Sequence, residues 1–469
     1  MRIKKIKSTS AVFQAGIGYT IGNILVKGIS FMTLPLFSRL LTTEQFGVYN
    51  VFVSYEAILF VIVGFAIHSS VRSANIEFKN EINSYVSSVS LIYIINVAVL
   101  AFLSLCFQNA LTRWMGFSED IILMLILYSF GSAILTLYNN YISLEYSYKK
   151  YLIIGLCNSL GNVLLSLFLI FTVFSEKRDV GRITGATFTM LVIAIVLLIS
   201  MYRKARPQYC KSYWRFAVKY SLPIIPHGLS QVLLAQCDRI MIRSLVSSAA
   251  AGIYSLAGNI QLVLTIITDS ISTAWTTWFY EKIEKKEIAD IQLRAVQIVT
   301  LFTIFAVGAM ALSPELVFIL GGREYDQSKY VAVPMIVDAF VLFLYNLVSA
   351  VEYYTKKTNY IMFGTVAAAV INVVMNYIFI VKFGFVAAAY TTLFSYVCYL
   401  ALHIVIAYRL MHFHVLKMKY LFGLSAVVGL SAAADLLFVG SIPIRYLLCA
   451  FTVAVLSLQL IRMLKKEAH

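Results

Sequence analysis

The segment EYSYKKYLIIG at residues 145–155 returns at residues 352–364 as EYYTKKTNYIMFG, displaced by 207 positions with two residues inserted. One match of this length would be weak evidence of a repeat. Two further pairs of segments match in the same order at offsets near 205: SRLLTTEQFGVYN (38–50) with IRSLVSSAAAGIYS (242–255), and GRITGATFTM (181–190) with FGFVAAAYTT (383–392). The three matches together indicate an internal duplication.

The composition is that of a protein that lies mostly in a membrane. Of the 469 residues, 60% are hydrophobic and only 13% are charged, whereas soluble domains carry about 25% charged residues. A membrane-spanning helix needs about 20 mostly apolar residues, and the stretches of this kind lack the alternating pattern of barrel strands. Fourteen such stretches can be placed, near residues 11–37, 46–68, 83–107, 119–140, 151–174, 183–202, 216–242, 252–278, 293–314, 330–351, 359–381, 384–408, 419–438 and 442–462. The sequence therefore predicts an all-α polytopic membrane protein with about 14 transmembrane helices.

The repeat divides these helices into two lobes. We predict an N-terminal six-helix lobe at 1–205, a C-terminal six-helix lobe at 206–410, and two additional helices with a basic tail at 411–469. Because six is an even number, both lobes enter the membrane from the same side. This is a parallel repeat with a pseudo-two-fold axis along the membrane normal, and in transporters such a repeat places the substrate path between the halves.

The distribution of positive charge predicts the orientation. The net charge of +16 would suit nucleic acid binding, but the Lys and Arg residues lie mainly between the spans. On the fourteen-span prediction, 25 of the 38 fall on the side of the N-terminus and 11 on the opposite side. The positive-inside rule then places both termini in the cytoplasm, and no nucleic acid partner is expected.

Polar residues form stripes along two spans that the repeat relates. At about 100° per residue, Asn23 and Lys27 share a polar face of the first span, and the seventh span carries a comparable face. A displacement of 204 pairs Asn23 with His227 and Lys27 with Gln231. Polar faces at bilayer depth turn toward protein or water, so we expect a hydrated central cavity. Its predicted substrate contacts are Lys27, Asn23, His227, Gln231 and Arg239.

Four acids within the spans are candidates for a coupling-ion or proton site: Asp269, Asp338, Glu56 and Asp238. Acids deep in a membrane usually mark ion or proton pathways. Structural roles remain open for several of these residues. Lys27 either contacts an anionic cargo or pairs with Glu56 or Asp269, and His227 either relays protons or joins two helices by a hydrogen bond.

The sequence gives no sign of covalent chemistry. The six cysteines are scattered over spans and one basic loop, which supports neither a disulfide framework nor a metal site. No phosphate-binding loop typical of ATP-driven proteins is present, and no loop exceeds about fifteen residues. We therefore expect no catalytic residues, no cofactor and no metal.

Two motifs resemble the oligosaccharide flippase family, the Wzx-type O-antigen or exopolysaccharide repeat-unit transporters of the multidrug/oligosaccharidyl-lipid/polysaccharide exporter superfamily. They are PLFSRLLTTEQFGVYN at 35–50 and SLPIIPHGLSQVLLAQCDRIMI at 221–242. The resemblance implies a secondary transporter that moves an undecaprenyl-diphosphate-linked oligosaccharide from the inner to the outer leaflet of the bacterial cytoplasmic membrane by alternating access. It also implies a cationic cavity, which Lys27 and Arg239 would suit. The expected partners are this lipid-linked saccharide, membrane lipids, and the polymerase and chain-length machinery of polysaccharide assembly.

Three other functions compete with this interpretation. The two final helices resemble the extra pair of the related lipid II flippases. An ion-coupled drug exporter of the same superfamily would be expected to have an acidic cavity, which Asp269 and Asp338 could supply. A membrane-embedded polysaccharide polymerase or ligase would be expected to need a large outer loop, and the predicted outer loops are all short.

Overall fold

The structure, a computed structural model, describes the backbone of residues 9–412 and 414–468, and the side chains of these residues except 9–15, 17, 24 and 466–468. The basic residues at 2–7, which contribute to the predicted cytoplasmic charge, lie outside the described residues. The described chain is almost entirely helical. Its α-helices are α1 (Thr9–Leu40), α2 (Thr43–Gly64), α3 (Val71–Glu77), α4 (Ile82–Cys106), α5 (Gln108–Met115), α6 (Glu119–Ser143), α7 (Tyr148–Thr172), α8 (Arg178–Lys204), α9 (Lys211–Ser221), α10 (Ile225–Leu245), α11 (Ser248–Glu284), α12 (Ile288–Gly321), α13 (Lys329–Tyr354), α14 (Thr358–Phe383), α15 (Val386–Met411), α16 (Met418–Leu437) and α17 (Ile442–Ala468).

Thirteen helices of the described chain are long and apolar enough to cross a membrane. The fourteenth long helix is α10, which has 21 residues but is more polar than these thirteen. The predicted span at 216–242 was wrong in its bounds, because a 3₁₀ turn at Leu222–Ile224 separates α9 from α10. Pro223 lies in that turn and Pro226 in the first turn of α10. Proline has no N–H to donate and is tolerated at helix starts, so the chain breaks and restarts here.

The N-terminal caps of α2 and α11 are formed by equivalent hydrogen bonds. The Thr42 side chain caps α2 by accepting from the Gln45 backbone N–H, and the Gln45 side chain accepts from the Thr42 backbone N–H. The Ser247 side chain caps α11 by accepting from the Ala250 backbone N–H at 3.1 Å. Thr42 and Ser247 lie in one of the matched segment pairs, so both copies start this helix in the same way.

The turn after α6 and the turn after α13 also correspond. The residues that occupy equivalent positions in the two turns differ by three from the pairing that the sequence match gives. Tyr146 (φ 56°) and Lys356 (φ 59°) are the left-handed residues of the two turns. In each turn a backbone N–H donates to the carbonyl five residues earlier, at the end of the helix: Ser147 to Ile142, and Lys357 to Glu352. The structural offset is therefore 210 residues (356 minus 146), and Glu352 corresponds to Ile142 rather than to Glu145.

By packing density the chain forms two units, Met1–Val232 and Leu233–His469. In the first unit α6 packs against α2, α4 and α8, and α7 lies between α1 and α8. The short helix α9 is fixed to this unit by Trp214, whose Nε1 donates to the Ser88 carbonyl at 3.2 Å, and by Tyr213, which donates to Glu81. The predicted boundary at 205/206 precedes α9 and stays a prediction.

In the second unit α13 is the most enclosed helix, with α11, α12 and α15 around it. The two C-terminal helices pack on α12. Arg445 of α17 is buried and donates to the Ala311 carbonyl at 2.7 Å and to both carboxylate oxygens of Glu315. A two-pronged guanidinium–carboxylate contact has a defined geometry, so it fixes the register of α17 against α12.

Candidate functional site

The second unit contains a buried carboxylate surrounded by hydrogen-bond donors. Asp238 of α10 is only 4% exposed. Its Oδ1 accepts from Asn376 Nδ2 at 2.6 Å, and its Oδ2 accepts from the Tyr254 hydroxyl at 2.5 Å and the Thr392 hydroxyl at 2.9 Å. These donors come from α14, α11 and α15. An ionised carboxylate has only acceptors, so the three donors stabilise the charge that burial would otherwise make costly.

A second layer of polar groups surrounds these donors. Asn372, one turn before Asn376 on α14, donates to the Thr392 hydroxyl at 2.7 Å. The Asn372 amide oxygen accepts from Cys237 at 2.9 Å and from Asn376 at 3.2 Å, and Thr391 donates to the Asn376 oxygen. We refer to Asp238, Tyr254, Asn372, Asn376 and Thr392 as the acidic network. Oxygen-rich groups of this kind are the ligands that hard cations prefer.

A second carboxylate lies near the acidic network and is not fully satisfied. Asp338 of α13 is 1% exposed, and its Oδ1 has no hydrogen-bond partner in the described chain. Asp238 and Asp338 interact electrostatically, and Tyr396 lies near both. Buried polar atoms are nearly always paired, so this oxygen is available to a proton, a cation or a water molecule.

The first unit holds a buried cation, which the sequence interpretation missed. Arg182 of α8 is 8% exposed and donates to the Asn162 amide oxygen and, at 2.8 Å, to the Ser166 hydroxyl. Its guanidinium lies 3.8 Å from the centre of the Phe37 ring and 4.7 Å from that of the Tyr49 ring. The fourteen-span prediction left Arg182 outside the membrane because this residue immediately precedes the predicted span at 183–202.

Close packing of two helices makes this contact possible. A Cβ at Gly185 would lie 2.6 Å from the backbone of Ser166, which is too close for any residue except glycine. The glycine lets α8 approach the α7 backbone, and Arg182 lies one turn earlier on α8. The sequence signal for this arrangement was present in GRITG at 181–185, a pair of small residues four apart that permits close helix contact.

A cavity of about 770 Å³ lies within the first unit, between α1, α3, the end of α6 and the start of α7. Its polar lining consists mainly of side-chain amides and tyrosines. We call it the amide pocket and define it by Tyr19, Asn23, Arg72, Asn75, Asn139 and Tyr151. The predicted site residue Asn23 is therefore in a cavity, and its amide oxygen accepts from the Tyr151 hydroxyl.

The other predicted site residues lie in varied surroundings. Lys27 is half-buried on α1, one turn after Asn23, and it interacts with another group of the chain. His227 is half-buried with an unpaired Nδ1 in the described structure, and Gln231 is exposed. Arg239 donates to the Ala235 carbonyl and the Gln236 side chain of its own helix.

Of the remaining predicted acids, Glu56 and Asp269 do not belong to the acidic network. Glu56 is half-buried on α2 and shares a side-chain hydrogen bond with Ser132 of α6. Asp269 is exposed on α11 and has an interaction partner within the chain. The structure thus brings Asp238 and Asp338 near each other and leaves the other two acids apart from them.

A buried Glu–His pair was also missed. Glu352 of α13 and His403 of α15 are both fully buried, and Oε1 lies 2.5 Å from Nδ1. The ring of Tyr399 packs edge-on against the His403 ring. Nothing in the sequence indicated that these two residues pair, because a single histidine in an apolar helix has many possible neighbours.

Two relatives match most of the chain. "Probable low-salt glycan biosynthesis flippase Agl15" of Haloferax volcanii is 20% identical over 442 residues, which cover 90% of this chain and 91% of that protein. "Lsg locus putative protein 1" of Haemophilus influenzae is 22% identical over 361 residues, which cover 73% and 82%.

Solved structures confirm the predicted fold class. The lipid II flippase MurJ in an inward closed conformation matches with a TM-score of 0.75 and 13% identity, covering 96% of this chain and 99% of its own. An inward-facing multidrug resistance transporter of the MATE family matches with a TM-score of 0.59 and 15% identity, covering 84% and 95%. The chain is thus a multi-pass, all-α membrane protein.

A family model described as polysaccharide biosynthesis protein matches residues 12–281, which is more than half of the chain. This match includes both motifs on which the resemblance was based, and that resemblance is confirmed. The chain belongs to the polysaccharide biosynthesis protein family.

Proposed function

We propose that this protein is a flippase that moves an undecaprenyl-diphosphate-linked oligosaccharide from the cytoplasmic to the outer leaflet of the bacterial cytoplasmic membrane. The observation that carries the proposal is the family match over residues 12–281. The relative that is named as a glycan biosynthesis flippase, aligned over 90% of the chain, supports it further. The product would enter O-antigen, capsule or exopolysaccharide, where polymerase and chain-length proteins would act next.

The transport step must overcome the cost of moving a diphosphate through hydrocarbon. An unpaired charge is very unfavourable in a medium of low dielectric constant, so a water-lined path with cationic side chains lowers the barrier while the prenyl chain stays in lipid. We assign Lys27 and Arg239 to the cargo diphosphate, and Asn23, His227 and Gln231 to the polar lining of the path. Basic cytoplasmic loops would attract the anionic lipid and agree with cytoplasmic termini.

We assign energy coupling to Asp238 and Asp338. Their support is geometric, since one carboxylate is surrounded by oxygen and amide groups and the other has an unpaired oxygen. A proton or a hard cation would bind to these carboxylates and neutralise them in one step of an alternating-access cycle. In another step it would dissociate from them. Flipping forms and breaks no covalent bond, so this function requires no catalytic residue.

A lipid II-type flippase is the second candidate. The likeness to the lipid II flippase structure extends over 96% of the chain and so includes the two C-terminal helices. An ion-coupled drug exporter has less support, because the MATE transporter structure covers 84% of the chain.

Deletion of the protein followed by mass spectrometry of lipid-linked saccharides tests the proposal. We expect a repeat-unit saccharide on undecaprenyl diphosphate to accumulate in the cytoplasmic leaflet, and plasmid-borne protein to reverse this. Accumulation of lipid II would identify the second candidate. An unchanged profile of lipid-linked saccharides would contradict both flippase functions.

A further inference from the structure

We propose that the amide pocket binds the sugar residues of the lipid-linked cargo, separately from any contact with its diphosphate. This inference rests on the proposed flippase function and deepens it by assigning saccharide recognition to the first unit. Its evidence is the cavity of about 770 Å³ between α1, α3, α6 and α7 and the chemistry of its lining.

The polar groups of the lining suit hydroxyl groups better than phosphates. An asparagine side chain offers two donors and an acceptor, and a sugar hydroxyl likewise both donates and accepts. Four asparagines line the pocket, together with one arginine: Asn23, Asn75, Asn139, Asn140 and Arg72. A diphosphate site would be expected to gather several cations, whereas this lining supplies one guanidinium among many amides.

Some polar groups of the pocket are held in place within the protein. Asn140 Nδ2 donates to the Thr136 carbonyl at 3.0 Å, and the Ser143 hydroxyl donates to the Asn140 carbonyl at 2.6 Å. Tyr151 donates to Asn23, and its ring packs edge-on against Tyr19 with the ring centres 5.1 Å apart. These contacts give the wall a defined shape before any ligand enters, which lowers the entropic cost of binding.

Other polar atoms of the same wall are left unpaired. The Tyr19 hydroxyl and the Asn139 amide oxygen are enclosed by protein atoms and have no hydrogen-bond partner in the described chain. A ligand reaches them only after the side chains of the wall rearrange, and pairing them would then relieve the cost of an unsatisfied buried group. The wall therefore combines fixed polar groups with unsatisfied ones that binding can pair.

The size and position of the pocket fit a saccharide headgroup. Ligand sites commonly have volumes of about 300–1,000 Å³, so the cavity can hold part of an oligosaccharide. Ser143 is the last residue of α6, and Tyr146 of the following turn also lines the cavity. This turn precedes Lys149 and Lys150 and is cytoplasmic in the proposed topology, so the sugars would be held at the end of the protein where cargo is loaded.

Direct binding to the full-length protein in lipid nanodiscs tests the inference. One probe is the undecaprenyl-diphosphate-linked saccharide extracted from cells that lack the protein, and the other is undecaprenyl diphosphate without sugar. We expect the wild-type protein to bind the saccharide-bearing lipid about three- to tenfold more tightly, as one or two added hydrogen bonds would produce.

Two pocket variants and one control define the site. A Cβ at Gly16, on the pocket wall, meets no atom within 4 Å, so Gly16→Leu should fill the cavity without removing a hydrogen bond. Asn139→Leu removes the unpaired acceptor. Both should abolish the preference for the sugar-bearing lipid and leave binding of bare undecaprenyl diphosphate within about twofold of wild type. Gly28→Leu, at another glycine of α1 with open space and outside the pocket, should keep the preference.

The outcomes separate this inference from the proposed function. If the wild-type protein binds both lipids equally, or if both pocket variants keep the sugar preference, the pocket assignment is wrong and the flippase function stands. If the wild-type protein binds neither lipid, the proposed function fails and the inference fails with it. Retained binding of the bare lipid in each variant shows that the variant is folded.

Discussion

The helix pair α7–α8 in the first unit and the pair α14–α15 in the second are built alike and hold opposite charges. Asn162 and Ser166 on α7 correspond to Asn372 and Asn376 on α14 at the structural offset of 210 residues. In the first unit the α7 residues accept from Arg182. In the second, the α14 residues belong to the acidic network around Asp238.

The difference between the two charges is chemical as well as electrostatic. A guanidinium is a permanent charge in proteins, and that of Arg182 is enclosed by hydrogen-bond acceptors and aromatic rings. A carboxylate can be neutralised by a proton or a cation, and Asp338 adds a second carboxylate with an unpaired oxygen. If the proposed coupling role of the acids is correct, the first unit holds a fixed charge and the second holds a charge that is neutralised during transport.

Replacement of the central acid should have the largest effect. In Asp238→Asn an amide nitrogen takes the place of one carboxylate oxygen and faces donors, so the neutral network has no charge to exchange. We expect gradient-driven transport in proteoliposomes to fall about a hundredfold or more, equivalent to about 3 kcal/mol.

The control is Asp326→Asn, which removes an exposed acid of the same unit that pairs with Lys329. This variant should transport at the wild-type rate. Normal gradient dependence in Asp238→Asn would show that the acidic network is structural, like its counterpart in the first unit.

Removal of the fixed cation should affect stability first. Arg182→Met leaves the buried Ser166 hydroxyl and the half-buried Asn162 amide oxygen without their donor, and an unsatisfied buried group costs about 1–3 kcal/mol. A lower unfolding temperature in detergent would report this loss. The matched control is Lys150→Met, whose exposed ion pair with Glu145 should contribute less than about 1 kcal/mol. An Arg182→Met protein as stable as wild type would mean that the cation is not structural.

The second acid should affect transport without loss of stability. Asp338→Asn removes the unpaired carboxylate oxygen but keeps the size of the side chain. We expect transport to fall about tenfold, about 1.4 kcal/mol, while the unfolding temperature stays at or above that of wild type because a desolvated carboxyl group is gone. A decrease in stability with unchanged transport would assign Asp338 to packing alone.

Removal of the two helix caps should have the smallest effect, and its effect on stability should be similar in the two copies. Thr42→Ala and Ser247→Ala each remove a capping acceptor, which is worth about 1 kcal/mol. The two losses should be similar because each change removes one side-chain acceptor. The second bond of the capping box, from the backbone N–H of residue 42 to Gln45, remains in Thr42→Ala. Thermal unfolding of both variants measures the difference. A larger loss at Ser247 would indicate that the cap matters more in the second copy.

Much of the fold could be predicted from the sequence, because apolar length and repeated segments are local signals. Thirteen predicted spans correspond to helices, and the seventh was misplaced where prolines interrupt a helical pattern. The site was harder to predict. Asp238 and Asp338 were identified as unusual acids, but Asn372 and Asn376 lie one turn apart like many pairs that only join helices. Whether such a pair joins two helices or surrounds a charge depends on which helix packs against α14.

The missed charges have the same physical explanation. Arg182 was assigned to a loop because it lies just before the predicted span, yet a glycine three residues away at 185 lets its helix approach α7 so closely that the side chain is enclosed. His403 is separated by 51 residues from Glu352, and nothing in either segment specifies the other. Which side chains on two helices meet depends on how the helices are aligned where they pack, and a single sequence does not show this alignment.

The polarity of α10 has a consequence for how the protein is made. Asp238 is synthesised 138 residues before its partner Asn376 and 154 residues before Thr392. At about 5–20 residues per second, this early segment waits roughly 7–30 s for the groups that neutralise its cost in hydrocarbon. We expect α10 to stay beside the insertion machinery or other helices during that interval. Nascent chains that end soon after α10 should therefore integrate poorly, and those that extend beyond α15 should integrate well.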